Sequence, residues 1–270
     1  MIYVRDKGQM CNNILQFAHV WALARHHGHR AISMRFAYKY PWFRICRSSG
    51  HNFPRYVAAK IAAARGWMPV VSYDIPGEIS SEKENLILTA RNVMVQGWEV
   101  RFYDLFLKYF DEIREMFAFL PGIEHAVAPL LKDRDQNLKL GLHVRRGDYS
   151  RWHEGRYFYS DEEYALVAAS FARLHPERKL TIFICGNDPA INPEAFHRAV
   201  PDAEIILARG NPAEDLCLLS KCDAIAGPPS TFSLVASMYR EIPLCWIENP
   251  KEELNEDSFS TFRTLFRHIK

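Results

Sequence analysis

The chain has 270 residues, of which 48% are hydrophobic, and its 34 Lys and Arg residues nearly balance its 32 Asp and Glu residues. This length suits one large domain or two modest ones, and the near-neutral charge does not indicate a nucleic-acid partner. The sequence has no run of about 18 apolar residues and no signal peptide, so we expect a cytoplasmic protein without a transmembrane segment. Peripheral attachment to the inner face of a membrane stays open.

The first half of the chain shows short strand patterns separated by helix patterns. The apolar periodicity predicts strands at residues 2–4, 31–36, 68–73 and 93–95, and helices at residues 14–27, 57–65 and 104–119. A charged, apolar-poor segment follows at residues 131–137. We therefore place a domain boundary between residues 135 and 136.

The second half alternates more regularly between strands and helices. The pattern predicts strands at residues 138–144, 180–185, 204–207, 224–226 and 243–247, and helices at residues 161–174, 194–199, 212–220 and 230–239. Such alternation is typical of an α/β fold with a parallel sheet covered on both faces. We expect two Rossmann-like domains, residues 1–135 and 136–270, facing a cleft, with ligands beyond the carboxyl ends of the strands.

Metal and dinucleotide sites are poorly supported. Cys217 and Cys222 have an unusual spacing for zinc, and the six cysteines are better explained as reduced, mostly buried thiols. The Asp133-Arg134-Asp135 triplet lies in a solvated stretch, so we expect no metal site there. The glycine fingerprint G-x-G-x-x-G is absent, which argues against a Rossmann-type oxidoreductase.

The strongest candidate site is the turn that follows the predicted strand at residues 138–144. Arg145 and Arg146 come directly after this strand, and Gly147 and Asp148 follow them. Arginine offers a planar fork of donors that fits phosphate oxygens, and Gly147 permits the sharp turn that would let both arginines converge. The alternative is an ordinary strand-end turn whose arginines face water.

Three further segments could contact a ligand. Gly227-Pro228-Pro229 leads through Ser230, Thr231, Phe232 and Ser233 into an apolar helix, and a helix N-terminus favours anions, although simple capping by Ser230 or Thr231 also explains it. Asn187 and Asp188 form a polar turn at a strand end, which suits base or ribose contacts but is also ordinary turn composition. Asn12 lies in the opening loop, where it or Asn13 could equally cap the first helix.

These blocks resemble one enzyme family. His143-Val144-Arg145-Arg146-Gly147-Asp148-Tyr149 is similar to the H-x-R-R-x-D-Y signature of the α1,2-fucosyltransferases, which α1,6- and protein O-fucosyltransferases share in part. Gly8, Asn12, Gln16 and Ala18 match the opening G-G-L-G-N-Q-M-F-Q-Y-A motif, while Cys11 and Asn13 depart from it. The segments at 215–220 and 230–233 resemble D-L-x-L-M-S and S-S-F-S-W-W, with Leu234 and Val235 in place of the tryptophans.

The resemblance implies a GT-B-type, inverting, metal-independent glycosyltransferase without a cofactor. It would transfer fucose from GDP-fucose to a hydroxyl of a galactose-like acceptor. Arg145 would bind the β-phosphate, Glu154, His153 or Asp148 would act as general base, and Asp148 could instead hold an arginine in place. Asp215 is expected to start a helix rather than to bind a ligand. The residues expected to bind substrate are Asn12, His143, Arg146, Asn187, Asp188, Ser230, Thr231, Phe232 and Ser233.

Two alternatives to this function remain open at the level of the sequence. The enzyme could use another GDP-sugar, or the chain could bind a nucleotide sugar without turnover. A general base and an acceptor site distinguish an enzyme from a binding protein.

Overall fold

A computed structural model describes residues 1–5, 7–36, 38–48, 50–78 and 80–269. The chain divides into two compact units, Met1–Leu120 and Pro121–Lys270. Each unit contains one parallel β-sheet with helices, so the α/β class predicted from the sequence is confirmed. Within the described residues, no helix is both long and apolar enough to cross a membrane.

The first unit contains a sheet of four parallel strands in the order β2-β1-β4-β3. Its elements are β1 (Ile2–Arg5), α1 (Met10–His26), β2 (Ala31–Ser33), α2 (Phe53–Ala64), β3 (Val70–Ser72), α3 (Ser81–Thr89), β4 (Val93–Gln96), α4 (Tyr103–Lys108) and α5 (Phe110–Met116). All four predicted strands are present, although β2 and β3 are shorter than expected. The sheet therefore follows the sequence pattern more closely than the helices do.

The helices of the first unit differ from the prediction in four places, one of them α2, which begins at Phe53 rather than at residue 57. Helix α1 begins at Met10 rather than at residue 14, because the side chain of Gln16 donates to the carbonyls of Lys7 and Asn12 and accepts from the Lys7 amide. The predicted helix at 104–119 is broken at Tyr109 into α4 and α5. Helix α3 was not predicted, because its single buried residue, Ile87, leaves no apolar periodicity to detect.

The second unit contains a sheet of five parallel strands in the order β7-β6-β5-β8-β9. Its elements are α6 (Pro121–Leu131), β5 (Leu138–Val144), α7 (Asp161–Leu174), β6 (Leu180–Gly186), α8 (Pro193–Ala199), β7 (Glu204–Leu207), α9 (Pro212–Leu219), β8 (Ala224–Gly227), α10 (Thr231–Met238), β9 (Leu244–Trp246) and α11 (Phe262–Leu265). Every strand and helix predicted here is present. The strand order reverses between β5 and β8, which makes this position the topological switch point of the sheet.

The division between the units falls at Leu120, before the predicted position at residue 135. Helix α6 packs against α9 and buries Ile123 and Val127, so it belongs to the second unit. The charged segment after α6 is also attached to this unit, because Arg134 pairs with Glu204 on β7. Charge alone therefore gave a misleading impression of a linker.

Candidate functional site

The carboxyl ends of three neighbouring strands bring the predicted site segments together. In the sheet register, Val144 at the end of β5 lies beside Gly186 of β6, and Leu142 lies beside Ala226 of β8. The turns that follow β5, β6 and β8 therefore share one edge of the sheet, at its switch point. This edge is where parallel α/β sheets bind ligands.

Arg146 is buried and holds this edge together from within. Its Nη2 atom donates to Asp161 at 2.6 Å, its Nη1 atom donates to Asp188 at 3.0 Å, and its Nε atom donates to the carbonyl of Tyr159 at 3.1 Å. The side chain is only 9% exposed. Since these partners engage all three nitrogens, Arg146 orders the turn.

The turn after β6 also contacts Arg146. Asn187 Oδ1 accepts from the Arg146 amide at 2.9 Å, and its Nδ2 atom donates to the Arg146 carbonyl at 3.4 Å. The Ala190 amide, followed by the Arg146 guanidinium, lowers the pKa of Asp188. Asn187 and Asp188 thus lie at the predicted edge, but their described contacts are with the protein.

Arg145 has a different environment from its neighbour. Its Nη2 atom donates to Asp148 at 2.6 Å, and its guanidinium lies 5.3 Å from the centre of the Tyr149 ring. The Arg145 side chain is 22% exposed and that of Asp148 is 66% exposed, so this ion pair is open to solvent on the side of the carboxylate. Gly147 has the left-handed φ of 66° that the sharp turn required. Arg145 therefore remains accessible to an anion at the switch point.

The turn between β8 and α10 completes the same edge. Ser230 Oγ accepts from the Phe232 amide at 3.1 Å and caps α10, while Ser233 Oγ donates to the Ser230 carbonyl at 3.1 Å. Tyr149 Oη donates to the Pro229 carbonyl at 2.6 Å and so connects this turn to the arginine turn. Thr231 is the first residue of α10. The amides at this helix N-terminus and Arg145 are together suited to an anion.

His143 is a neutral, buried residue of the site. Its ring stacks on Phe232, with the ring centres 4.9 Å apart. Burial, followed by the charge of Arg145, lowers the pKa of His143 to about 3. The Nδ1 atom is buried and lacks a hydrogen-bond partner among the described residues. His143 therefore lies buried beneath the Phe232 ring, and of the two only Phe232 is partly exposed.

Asp215 is a candidate that the sequence-based interpretation treated only as a helix-start residue. It lies in α9 and is 9% exposed, and its Oδ1 atom has no hydrogen-bond partner among the described side chains and backbone groups. Burial, then the charge of Glu214, raises its pKa to about 7, against the effect of the Gly210 amide. Its carbonyl accepts from Cys185 Sγ at 3.9 Å, and Cys185 is the register partner of His143.

Asp215 thus lies close to the strand pair that carries His143. A buried carboxyl group with an unused acceptor is costly unless a partner satisfies it. The residue type could not show this in advance, because an acidic residue in the first turn of a helix is also what capping favours.

Glu154, the first candidate for the general base, lies in an unusual backbone segment. His153 has φ 47° and Glu154 has φ 58°, both in the left-handed region that non-glycine residues rarely adopt. Trp152 anchors the segment by packing on Tyr149 and Tyr157, with ring centres 4.6 and 5.4 Å apart. The Glu154 carboxylate is exposed and engages no hydrogen bond or ion pair in the described part of the chain. Strained backbone of this kind is concentrated at functional sites.

Asn12 belongs to the first unit and is considered with that unit alone. It lies within the first turn of α1, which starts with Gln9 as N-cap and no side-chain cap. Asn13 Nδ2 donates to the Gln9 carbonyl at 2.7 Å. Neither asparagine is therefore the N-cap that the sequence left open for them.

Comparison with known proteins finds solved structures with a similar fold. No protein-family model and no curated protein sequence matches this chain. A FUT1 variant from Arabidopsis thaliana in complex with GDP has a TM-score of 0.64 and 10% identity over 96% of this chain and 73% of that one. POFUT1 in complex with GDP-fucose has a TM-score of 0.60 and 11% identity, over 89% and 94% of the two chains.

The fucosyltransferase NodZ from Bradyrhizobium has a TM-score of 0.57 and 14% identity, over 93% of this chain and 96% of its own. The chain therefore has the fold of these GT-B-type glycosyltransferases, built from Rossmann-like units, as the sequence predicted.

Proposed function

We propose that this chain is a glycosyltransferase that moves fucose from GDP-fucose to a hydroxyl group of a carbohydrate acceptor. The observation that carries the proposal is the accessible cation Arg145 beside the N-terminus of α10 at the switch point of the second sheet. Structures with the same fold are described with GDP or GDP-fucose bound. The first observation suits an anionic ligand, and the second suggests GDP-fucose as that ligand.

The diphosphate would bind between Arg145 and the first turn of α10. Arg145 would contact the β-phosphate, and the amides and hydroxyls of residues 230–233 would contact the remaining oxygens. Positive charge that is already oriented toward the leaving group is commonly the largest contribution to stabilisation of the transition state. Since this site supplies its own positive charge, we propose transfer without a metal ion or another cofactor.

The guanine ring would bind against Phe232, which covers the buried His143, and Asp215 would recognise the base. Guanine presents two adjacent N–H donors on one edge, and an ionised carboxylate is an acceptor-only group that can receive both. Asp215 offers a buried acceptor without a partner. Asn187 and Asp188, which we expected at the guanosine, would instead position Arg146 and the turn.

The transfer would be inverting. The acceptor oxygen attacks the anomeric carbon, the bond from that carbon to the β-phosphate oxygen breaks, and GDP leaves with the electron pair. Glu154 would take the proton from the acceptor hydroxyl, because Asp148 is already paired with Arg145. Three parts of the proposal follow only from the sequence resemblance. They are a galactose-like acceptor, an α1,2 linkage and a contact from Asn12 of the first unit.

The proposal is tested by incubating the protein with labelled GDP-fucose and a panel of galactosides, with EDTA present, and measuring labelled product and released GDP. We expect product, and we expect Glu154→Gln to lower turnover by about 10²- to 10⁴-fold while GDP-fucose still binds. Tight binding of GDP-fucose without product or GDP release would instead favour a nucleotide-sugar-binding protein. Faster turnover with GDP-mannose than with GDP-fucose would identify GDP-mannose as the donor instead.

A further inference from the structure

The outward face of α2 in the first unit is apolar where a helix on a protein surface is usually polar. Phe53 is 55% exposed, Ile61 is 44% exposed, and Trp67, just beyond the helix, is 69% exposed. The opposite side of the helix supplies Ala59 to a buried cluster with three methionines. The exposed side chains therefore lie on a face that the first unit itself does not cover.

This apolar face is flanked by cations. Arg55, Lys60 and Arg65 are exposed, and no ion pair joins any of them to a carboxylate in the part of the chain that the structure describes. Arg65 lies over the Trp67 ring at 5.1 Å. We call Phe53, Ile61 and Trp67 together with Lys60 and Arg65, and with Arg55 at the margin of the buried side one turn before Ala59, the α2 face.

The sequence around the α2 face is strongly asymmetric in charge. Between Asp6 and Asp74 it contains ten Lys or Arg residues and no Asp or Glu, although the whole chain has a net charge of only +2. A cavity of about 300 Å³ opens beside α2, and its lining includes Arg5 and Lys60 but no carboxylate. The first unit thus offers a basic surface, whereas the recess is lined largely by apolar side chains, among them Met34 and Met94 of the buried cluster.

We propose that the α2 face binds the surface of a membrane that contains anionic lipids. Exposed aromatic and aliphatic side chains between cations are the pattern of helices that lie in the boundary between headgroups and acyl chains. The exposed tryptophan suits this boundary, and the long stems of Lys60 and Arg65 can extend along it while their charges meet lipid phosphates.

A second copy of the chain fits the α2 face less well. A symmetric dimer would bring the same patch of two chains together, so that Arg55, Lys60 and Arg65 would face their own copies. No acidic residue of α2 or of its flanking segments could compensate these charges. An anionic surface removes this repulsion and also accommodates the apolar side chains.

The proposal is tested by flotation of the full chain with vesicles of phosphatidylglycerol and phosphatidylcholine, or of phosphatidylcholine alone. We expect binding only to the anionic vesicles. The triple variant Arg55→Gln, Lys60→Gln and Arg65→Gln should bind on the order of a hundredfold more weakly, because each cation near an anionic surface contributes about fivefold. Glutamine has nearly the helix propensity of the residues it replaces, so α2 should persist.

A matched control distinguishes the effect of where the cations lie from the effect of the change in net charge. Lys132, Arg198 and Lys251 are exposed residues of the second unit, and replacing all three with glutamine changes the net charge equally. This control should bind vesicles like the original protein, and Trp67→Phe should remove the tryptophan quenching that brominated lipids cause. Equal loss in both triple variants, equal binding to neutral vesicles, or self-association that the α2 variant alone abolishes would overturn the proposal.

Discussion

Arg145 and Arg146 are adjacent in sequence and have opposite environments. Arg146 is surrounded by Asp161, Asp188 and a backbone carbonyl, whereas the Arg145 guanidinium contacts the exposed Asp148 and the face of the Tyr149 ring. The sequence predicted an arginine turn at a strand end because two arginines follow a buried strand. It could not assign the two roles, since the partners of Arg146 come from distant parts of the chain.

The assignment predicts that Arg145→Ala lowers turnover by about 10²- to 10³-fold, the usual effect of removing one group that stabilises the leaving charge. The free energy of unfolding should change little, because the carboxylate that pairs with Arg145 is mostly exposed and stays hydrated without it. Fucose transfer and urea denaturation measure the two quantities. Unchanged turnover in a folded variant would exclude Arg145 from the site.

The raised pKa of Asp215 predicts a specific dependence of the protein's stability on pH. Because burial raises its pKa to about 7 in the folded protein, the ionised form destabilises the fold, and the free energy of unfolding should decrease as pH rises from about 4 to 7. The contribution of this one group is about 1.4 kcal/mol per pH unit within that range. Asp215→Asn should therefore become progressively more stable than the original protein toward pH 7 and keep that advantage above it.

Urea denaturation of both proteins at pH 5, 6, 7 and 8 tests this expectation. A constant difference in stability across the series would mean that Asp215 is ionised throughout and already has a partner.

Within the second unit, three elements depend on one guanidinium. Arg146 follows β5, Asp188 follows β6, and Asp161 is the first residue of α7. The regular alternation of strands and helices made these elements predictable from apolar runs and caps. The contact between them was not predictable, because three separate turns have to meet before the carboxylates surround the arginine.

Removal of this contact should destabilise the second unit. Arg146→Ala leaves two largely buried carboxylates without their cation, and breaking a buried ion pair commonly costs about 3–5 kcal/mol. Arg146→Lys keeps the charge but cannot reproduce the planar fork, so it should recover only part of the loss. Thermal and urea unfolding give the comparison, and near-native stability of the alanine variant would show that the turn is held by other contacts.

At the scale of the whole molecule, the two units differ in how far their sequences reveal them. The second unit follows a strict strand and helix pattern, whereas the first contains short helices with few buried residues, such as α3. The predicted boundary differs from the observed one because a charged segment resembles a linker even when its Arg134 pairs with Glu204 on β7. The contacts between elements determine where a compact unit begins, and the amino-acid composition of a segment indicates these contacts only indirectly.

The position of α6 predicts how fragments behave. A fragment of residues 121–270 should be soluble and bind GDP, since it keeps Ile123 and Val127 packed near α9. A fragment of residues 136–270 exposes that apolar surface of α9 and should aggregate or lose its cooperative unfolding transition. Size-exclusion chromatography and circular dichroism compare them, and equal behaviour of the two would place the boundary after α6.

Titration calorimetry without added metal tests the donor site most directly, with GDP, ADP and UDP as ligands for the original protein, Arg145→Ala and Asp215→Asn. We predict selective binding of GDP, a general loss of affinity in the Arg145 variant and a loss of guanine preference in the Asp215 variant. Equal affinity for the three nucleotides, or GDP binding that neither substitution changes, would contradict a GDP-sugar site at the switch point of the second sheet.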